Sequence, residues 1–408
     1  MNTGDIVWIL IATALVMIMT PTLAFFYGGL VRKKNILSIL MQCMVILCVI
    51  SIQWVLFGYS LAFGPDKGGI IGGLEWVGLA GVGLEAHDTY MSTVPHQLFM
   101  AFQMMFAVIT PALIVGAFAE RIRFSGFLLF TFLWATLVYD PMAHWVWAKD
   151  GWLASMGALD FAGGTVIHVN AGIAALVFVL LLGKRTGLDH SRAPHNLPFA
   201  VLGAGFLWFG WFGFNAGSAG SAGPLAVSAF VNTNTAAAAA GVTWMMLDWA
   251  INRVPTMLGV ATGLVAGLVA VTPAAGYVTP LSALLIGAIA SVACFFFVTK
   301  VKAWFGYDDS LDVFGVHGVG GIVGALATGL FATTSINPAG ANGLFYGNAH
   351  QLWVQFVTTA VAILFSAGMT FVLFRLVDSL VGMRVDVRDE NIGLDLTQHH
   401  ETGYTLHD

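Results

Sequence analysis

Charge is what this sequence has least of. Only 9% of its 408 residues are Asp, Glu, Lys or Arg, against 58% hydrophobic residues and a mean hydropathy of +0.85. That balance excludes an ordinary soluble domain and a nucleic-acid-binding surface. Cysteine is scarce too: Cys43, Cys48 and Cys294 all fall within apolar stretches, so a disulfide framework is excluded and buried thiols are expected. No basic residue precedes the first apolar run, so no signal peptide is expected within this sequence.

What is present is long apolar runs. A helix needs roughly 20 apolar residues to cross a bilayer, and eleven runs qualify, at about 6–31, 36–63, 97–118, 124–147, 163–183, 198–217, 226–251, 257–272, 277–299, 313–333 and 350–380. The expectation is an all-α membrane protein with eleven transmembrane helices. Of the 16 basic residues, all but Lys67 and Lys149 lie in or beside alternate connections and the C-terminal tail, among them Arg32, Arg121, Lys184, Arg185, Arg192 and Arg384. By the positive-inside rule those connections are cytoplasmic, which puts the N-terminus outside and the tail inside the cell membrane.

Two segments carry a histidine in matched surroundings. Asp160 to Leu176 reads DFAGGTVIHVNAGIAAL and Asp312 to Leu326 reads DVFGVHGVGGIVGAL. Both have an aspartate, then His168 or His317, then Gly-Ile four and five residues later. These segments are the fifth and the tenth, each the last of a set of five. Two five-helix inverted repeats are expected, 1–183 and 198–333, joined by a linker at 184–197 and followed by 334–382 with the eleventh helix and a tail at 383–408. Inverted repeats place a transporter site near the midplane at the repeat interface. Each histidine lies about five residues inside its run, roughly 8 Å; half a hydrocarbon core is about 15 Å, so the two meet only if both runs begin below the surface.

Polar side chains inside a membrane are costly and line cavities or pathways. Two neutral imidazoles can share one proton and still offer N–H or lone-pair groups to a small guest. A full charge between them is opposed by desolvation, and no Cys, Asp or Glu adjoins them at ligand spacing, so no metal or other cofactor is expected. Toward the outer end, Trp147, Phe102 and the Ser218 hydroxyl can receive an ammonium-type cation, with Phe106 and Phe214 able to close the path below.

Phe26-Tyr27-Gly28-Gly29, DFAGGTVIH, GWFGFNAGSAG at Gly210 to Gly220, DVFGVHG and Gly393-Leu394-Asp395 together resemble the Amt/Mep/Rh ammonium transporters, specifically the bacterial Amt branch. The resemblance spans the whole chain. It implies an outer ammonium site at Trp147, Phe102 and Ser218, a phenylalanine gate at Phe106 and Phe214, and a pore with His168 and His317 as twin histidines. Trp211, Phe26 and Tyr139 would line that pore, and Asp160 would shape the outer site without touching substrate. The implied function is recruitment of ammonium, its deprotonation, and passage of ammonia with the proton relayed separately, so that transport is electrogenic; methylammonium is a further candidate substrate. A homotrimer in membrane lipid, blocked from the cytoplasm by a PII-type signalling protein, is also implied. After Trp147 the chain departs from the family's glycine run with Ala148-Lys149-Asp150-Gly151-Trp152, which leaves Trp145 and Trp152 as competitors for the outer position.

Rival readings remain at this stage. One is an ammonium sensor with little flux, its output in the tail. Another is an intramembrane serine hydrolase using Ser218, and a third is a haem protein with His168 and His317 as axial ligands. The chain is expected to be no enzyme.

Overall fold

The computed structural model describes residues 1–187 and 193–404. Arg192 with its part of the 184–197 linker, and the last four residues of the tail, lie outside the described residues. Ten helices are long and apolar enough to cross a membrane, and an eleventh, shorter one completes the set. In chain order they are α1 (Thr3–Leu30), α2 (Lys33–Phe63), α3 (His96–Phe118), α4 (Phe124–Ser155), α5 (Gly164–Leu182), α6 (Leu197–Gly217), α7 (Pro224–Asn252), α8 (Met257–Val271), α9 (Pro280–Phe305), α10 (Phe314–Phe331) and α11 (Ala349–Val381). The tail adds two short helices, α12 (Val387–Ile392) and α13 (Leu394–His399). The only strands among the described residues form a hairpin, β1 (Asp66–Lys67) with β2 (Ile71–Gly72), in the connection between α2 and α3.

Small residues decide which helices touch. The first helices of the two repeats, α1 and α6, lie against each other so closely that a Cβ on Gly203 would stand 2.5 Å from the Phe26 nitrogen, and one on Gly210 2.3 Å from Met19 Cγ. Lipid tails give no hydrophobic gain for helix association, so such backbone approach is what packing can use. Large apolar side chains elsewhere point outward, as Leu364 does at 73% exposure, into what would be lipid.

The face that carries the C-terminus is tied by charge. Arg185 hydrogen-bonds Asp308 at 2.7 Å and Glu120 at 3.3 Å, Arg32 bonds Glu120 at 3.0 Å, and the fully buried Arg121 donates to the Asp308 carbonyl at 2.6 Å and to Ser310 Oγ at 2.7 Å. These pairs join three connections, those between α1 and α2, between α3 and α4, and between α9 and α10, to the residues just after α5. The tail packs over the same face. Arg384 donates to the Leu182 carbonyl at the end of α5, and Asp395 accepts from Ser38 N at the start of α2. Each is a helix terminus satisfied from a distant part of the chain.

Candidate functional site

The site is a line of three spaces along the interface of the two repeats. The first, of about 460 Å³, opens on the face that carries the N-terminus and is lined by Trp147, Phe106, Ser218, Gln103, Phe161 and the 88–93 segment, among others. Trp147 Nε1 donates to the Asp160 carbonyl at 2.9 Å, and its ring meets Phe106 edge-on at 5.9 Å. Trp145 and Trp152 instead pack on each other at 5.8 Å, with Trp145 against Phe365. Of the three tryptophans, only Trp147 lines the vestibule. Ser218 Oγ donates to the Phe214 carbonyl at 2.8 Å, which leaves its lone pairs as acceptors for a guest.

Asp160 does not line the vestibule. Its two oxygens accept from the backbone N–H groups of Gly163, Gly164, Thr165 and Val166 at 2.6 to 3.0 Å. These are the orphan donors at the start of α5, and four bonds use a carboxylate's lone-pair sites. The start of α5 is thereby held below the surface, with Asp160 only 6% exposed.

Below the vestibule the rings of Phe106 and Phe214 stand 4.5 Å apart and separate it from a second space of about 10 Å³. A volume of that order holds about one water-sized molecule. Its walls are His168, His317, Trp211, Phe214, Phe26 and aliphatic side chains such as Leu113 and Val265. Below that again, a third space of about 200 Å³ opens on the opposite face, sharing Phe26, Val265 and His317 with the chamber and adding Asp312 and Thr262.

The histidines sit on equivalent π-helical turns, Gly164–Val169 and Phe314–Gly318, and their Nδ1 atoms are 3.3 Å apart. The glycines four residues beyond each histidine explain how they meet. A Cβ on Gly172 would lie 2.1 Å from Gly318 N, and one on Gly321 would lie 2.9 Å from Val169 N, so each glycine admits the opposite backbone. The Trp211 ring lies 5.4 Å from His168, fixed by its Nε1 bond to Thr272 Oγ1 at 2.9 Å. His168 Nε2 is buried without a partner, and such an orphan acceptor or donor calls for a guest.

Some expected placements differ. Phe102 is fully buried behind Phe106, 4.9 Å from it, and does not line the vestibule; Gln103 on the next helical position does. Tyr139 is fully buried against Trp54 at 6.2 Å and lines neither the chamber nor the spaces above and below it. The counterpart of Asp160 is not Asp312 but Asp309, which stands eight residues before His317 just as Asp160 stands eight before His168. Asp309 Oδ2 accepts from Phe314 N at 2.8 Å, whereas Asp312 binds Lys302 Nζ at 2.6 Å. Lys149 is exposed and lies outside the vestibule lining. Sequence reasoning missed Tyr90 and Asp88, which come from a connection without periodicity, and the aliphatic chamber wall, which has no chemical signature.

The geometry offers no support to two rival readings. Ser218 hydrogen-bonds a carbonyl while His168 bonds His317, so no serine–histidine pair is formed. Nitrogens 3.3 Å apart across a one-molecule chamber leave no room for a porphyrin between the two rings.

An eleven-helix membrane protein built as two repeats, with a narrow histidine-lined path at their interface, is a multi-pass transporter by class. The sequence profile described as the Ammonium Transporter Family matches residues 7–404. The chain belongs to that family. It is 54% identical over 404 residues to an ammonium transporter of Bacillus subtilis, covering 99% of each chain. Its fold superposes on the crystal structure of Saccharomyces cerevisiae Mep2 with a TM-score of 0.88 at 37% identity, covering 95% of this chain and 88% of that one. A structure described as a sensor Amt protein gives 0.89 at 31% identity, covering 97% and 98%.

Proposed function

We propose that the chain takes up ammonium through a twin-histidine pore, from the vestibule at the outer face to the space beside Asp312 at the cytoplasmic face. The observation that carries this is the one-molecule chamber in which His168 and His317 meet, set between two wider spaces. Ammonium is received by the Trp147 and Phe106 rings and the free lone pairs of Ser218, with Phe102 acting only as backing to Phe106. A cation entering the apolar chamber would lose its hydration, so the gate at Phe106 and Phe214 is where ammonium gives up its proton and ammonia goes on.

The histidine pair suits the proton. In an Nδ1 to Nδ1 hydrogen bond one ring holds the shared proton and has a bare Nε2, and the other has a protonated Nε2. A proton arriving at the bare Nε2 pushes the shared proton across, and the second ring releases its own from Nε2. One charge has then moved past a space too dry for a free ion, and ammonia crosses beside it. His168 lies on the gate side, against Phe214, and His317 on the exit side. Transport is thus electrogenic and excludes potassium, which has no proton to give up. Methylammonium is the next candidate substrate, since it too can be deprotonated.

Placement of the basic residues supports an N-terminus outside the cell membrane and a C-terminus inside. Family membership supports a homotrimer in membrane lipid and a PII-type partner at the cytoplasmic face, over the tail and the Arg185 network. A second reading, an ammonium sensor with little flux, is favoured by the likeness to the sensor Amt structure over nearly its whole length.

The test is the transient current evoked by ammonium, with potassium as control, in proteoliposomes containing the chain. An ammonium-specific current is expected, and replacing both His168 and His317 by apolar residues is expected to abolish the current or its selectivity. A normal selective current in that double variant would refute the relay. Binding without current or internal pH change would favour the sensor.

A further inference from the structure

The vestibule is much larger than the path it feeds. Its 460 Å³ lies above a chamber of about 10 Å³, so it can hold guests that can never pass the gate. It is also far more aromatic than an ion with four N–H donors requires. Phe63, Tyr90, Phe99, Phe106, Trp147 and Phe161 all contribute to its lining. Tyr90 lies flat on Phe99, with centroids 4.9 Å apart and planes 8° from parallel, and Phe63 stands edge-on to both at 5.4 and 5.1 Å. These rings brace one another, which keeps their faces and edges in place.

Among the hydroxyl and amide groups of Thr89, Ser92, Thr93, Gln103, Ser218 and Ser221, the lining carries charge of one sign only. Asp88, exposed at the rim, is the only charged residue in the lining among the described residues, and no Lys or Arg joins it. A quaternary ammonium ion spreads its charge over methyl groups, donates no hydrogen bonds and is recognised by aromatic faces. Pockets of several hundred Å³ are the usual size for small organic ligands. We propose that this vestibule is a binding site for quaternary ammonium ions, which occupy it in competition with ammonium and block the pore without entering it. The competition rests on the reading of the vestibule as the ammonium entrance; the binding does not.

Tetramethylammonium is the probe. Added to the outer side of proteoliposomes, it is expected to evoke no current of its own and to lower the apparent affinity for ammonium while leaving the maximal current at saturating ammonium intact. Removing one lining ring that no other ring stacks on, in Phe161→Leu, is expected to weaken the block by about 3- to 30-fold, the range of a partly to fully desolvated cation–π contact. Asp88→Asn, at the exposed rim, is expected to weaken it by about 2- to 3-fold at low salt and less at high salt. Calorimetry on the purified protein reads binding independently of transport. If ammonium evokes neither current nor internal pH change but tetramethylammonium binds and ammonium displaces it, the vestibule site stands and the transport reading fails. No heat and no block at millimolar tetramethylammonium, or a block that is non-competitive or unchanged in both variants, would overturn the proposal.

Discussion

Asp160 and Asp309 stand eight residues before His168 and His317 respectively, and each carboxylate accepts backbone N–H where the histidine's helix begins. Around Asp160 the bonds are four and, among the described residues, no Lys or Arg pairs with it. Around Asp309 a single such bond is clear, and the neighbours are Lys302, whose Nζ binds the Asp309 carbonyl at 2.6 Å, and Asp312, which shares that lysine. The same helix-starting device is thus held by hydrogen bonds alone beside the vestibule and within a charged lattice on the opposite face. A fixed positive group beside the entrance would repel an arriving cation. At the exit the charges bind connections together and stand clear of the chamber.

That comparison breaks most visibly at the two carboxylates. Asp160→Ala would orphan four buried N–H groups, each worth about 1 kcal/mol or more, so a loss of roughly 4 kcal/mol or failure to assemble is expected. Asp309→Ala orphans one clear donor and removes a buried carboxylate whose ionisation opposes folding at neutral pH, so its loss should be far smaller, about 1 kcal/mol or less. Thermal unfolding of the two detergent-purified variants, read by tryptophan fluorescence, compares them directly; equal losses would mean that the surrounding charges contribute nothing.

The glycines sharpen the same contrast at smaller size. An added Cβ at Gly172 meets the Gly318 backbone at 2.1 and 2.3 Å, which no rotamer change relieves, while at Gly321 the nearest atoms are at 2.9 and 3.0 Å. Gly172→Ala should cost about 3 kcal/mol and Gly321→Ala about 1 kcal/mol. The first should also depress the ammonium current more, because it forces apart the helices that bring His168 to His317. A larger effect at Gly321 would show that α10 yields to the Gly172 methyl more easily than α5 yields to the Gly321 methyl.

Much of this was open to reading in the sequence. Eleven apolar runs correspond to eleven helices because a bilayer demands that length, and the matched His-x3-Gly-Ile pairs mark the place where two helices cross. What failed did so for identifiable reasons. In α3 nearly every position is apolar, so spacing could not decide whether Phe102 or Gln103 faces the vestibule. Tyr139 was assigned by likeness, and a buried tyrosine against Trp54 looks the same on paper as one that lines a pore. Pairing Asp160 with Asp312 followed the shared letters DF and DVF, but a helix start is set by distance along the chain, which selects Asp309. Tyr90 and Asp88 arrive by tertiary folding of a connection that has no period to read.

An effect that grows and fades with pH separates two neighbouring carboxylates. Burial opposes ionisation of Asp308, but the Arg185 hydrogen bonds and the charges of Arg121 and Arg185 outweigh it and hold it down at about 2. Burial lifts Asp309 to about 6, with the Lys302 charge offsetting only part and Asp312 adding to the rise. Both start from 3.8 in the unfolded chain. Asp308 therefore contributes stability that is complete above pH 3.8 and is lost as the pH falls toward 2. Asp309 has the opposite sign: its unfolded form ionises first, so it costs stability progressively from pH 3.8 to about 6, and the penalty stays constant above. Asp309→Asn is accordingly expected to gain on the native protein as the pH rises through that window, by an amount on the order of 2 kcal/mol at pH 7. Asp308→Asn should lose stability at neutral pH and converge with the native protein only near pH 2. Melting temperatures of the three proteins between pH 2 and 8 test this. A native-minus-variant difference for Asp309→Asn that does not change between pH 4 and 6 would show that Lys302 neutralises Asp309 fully, and that the exit carboxylate is as quiet a helix start as Asp160.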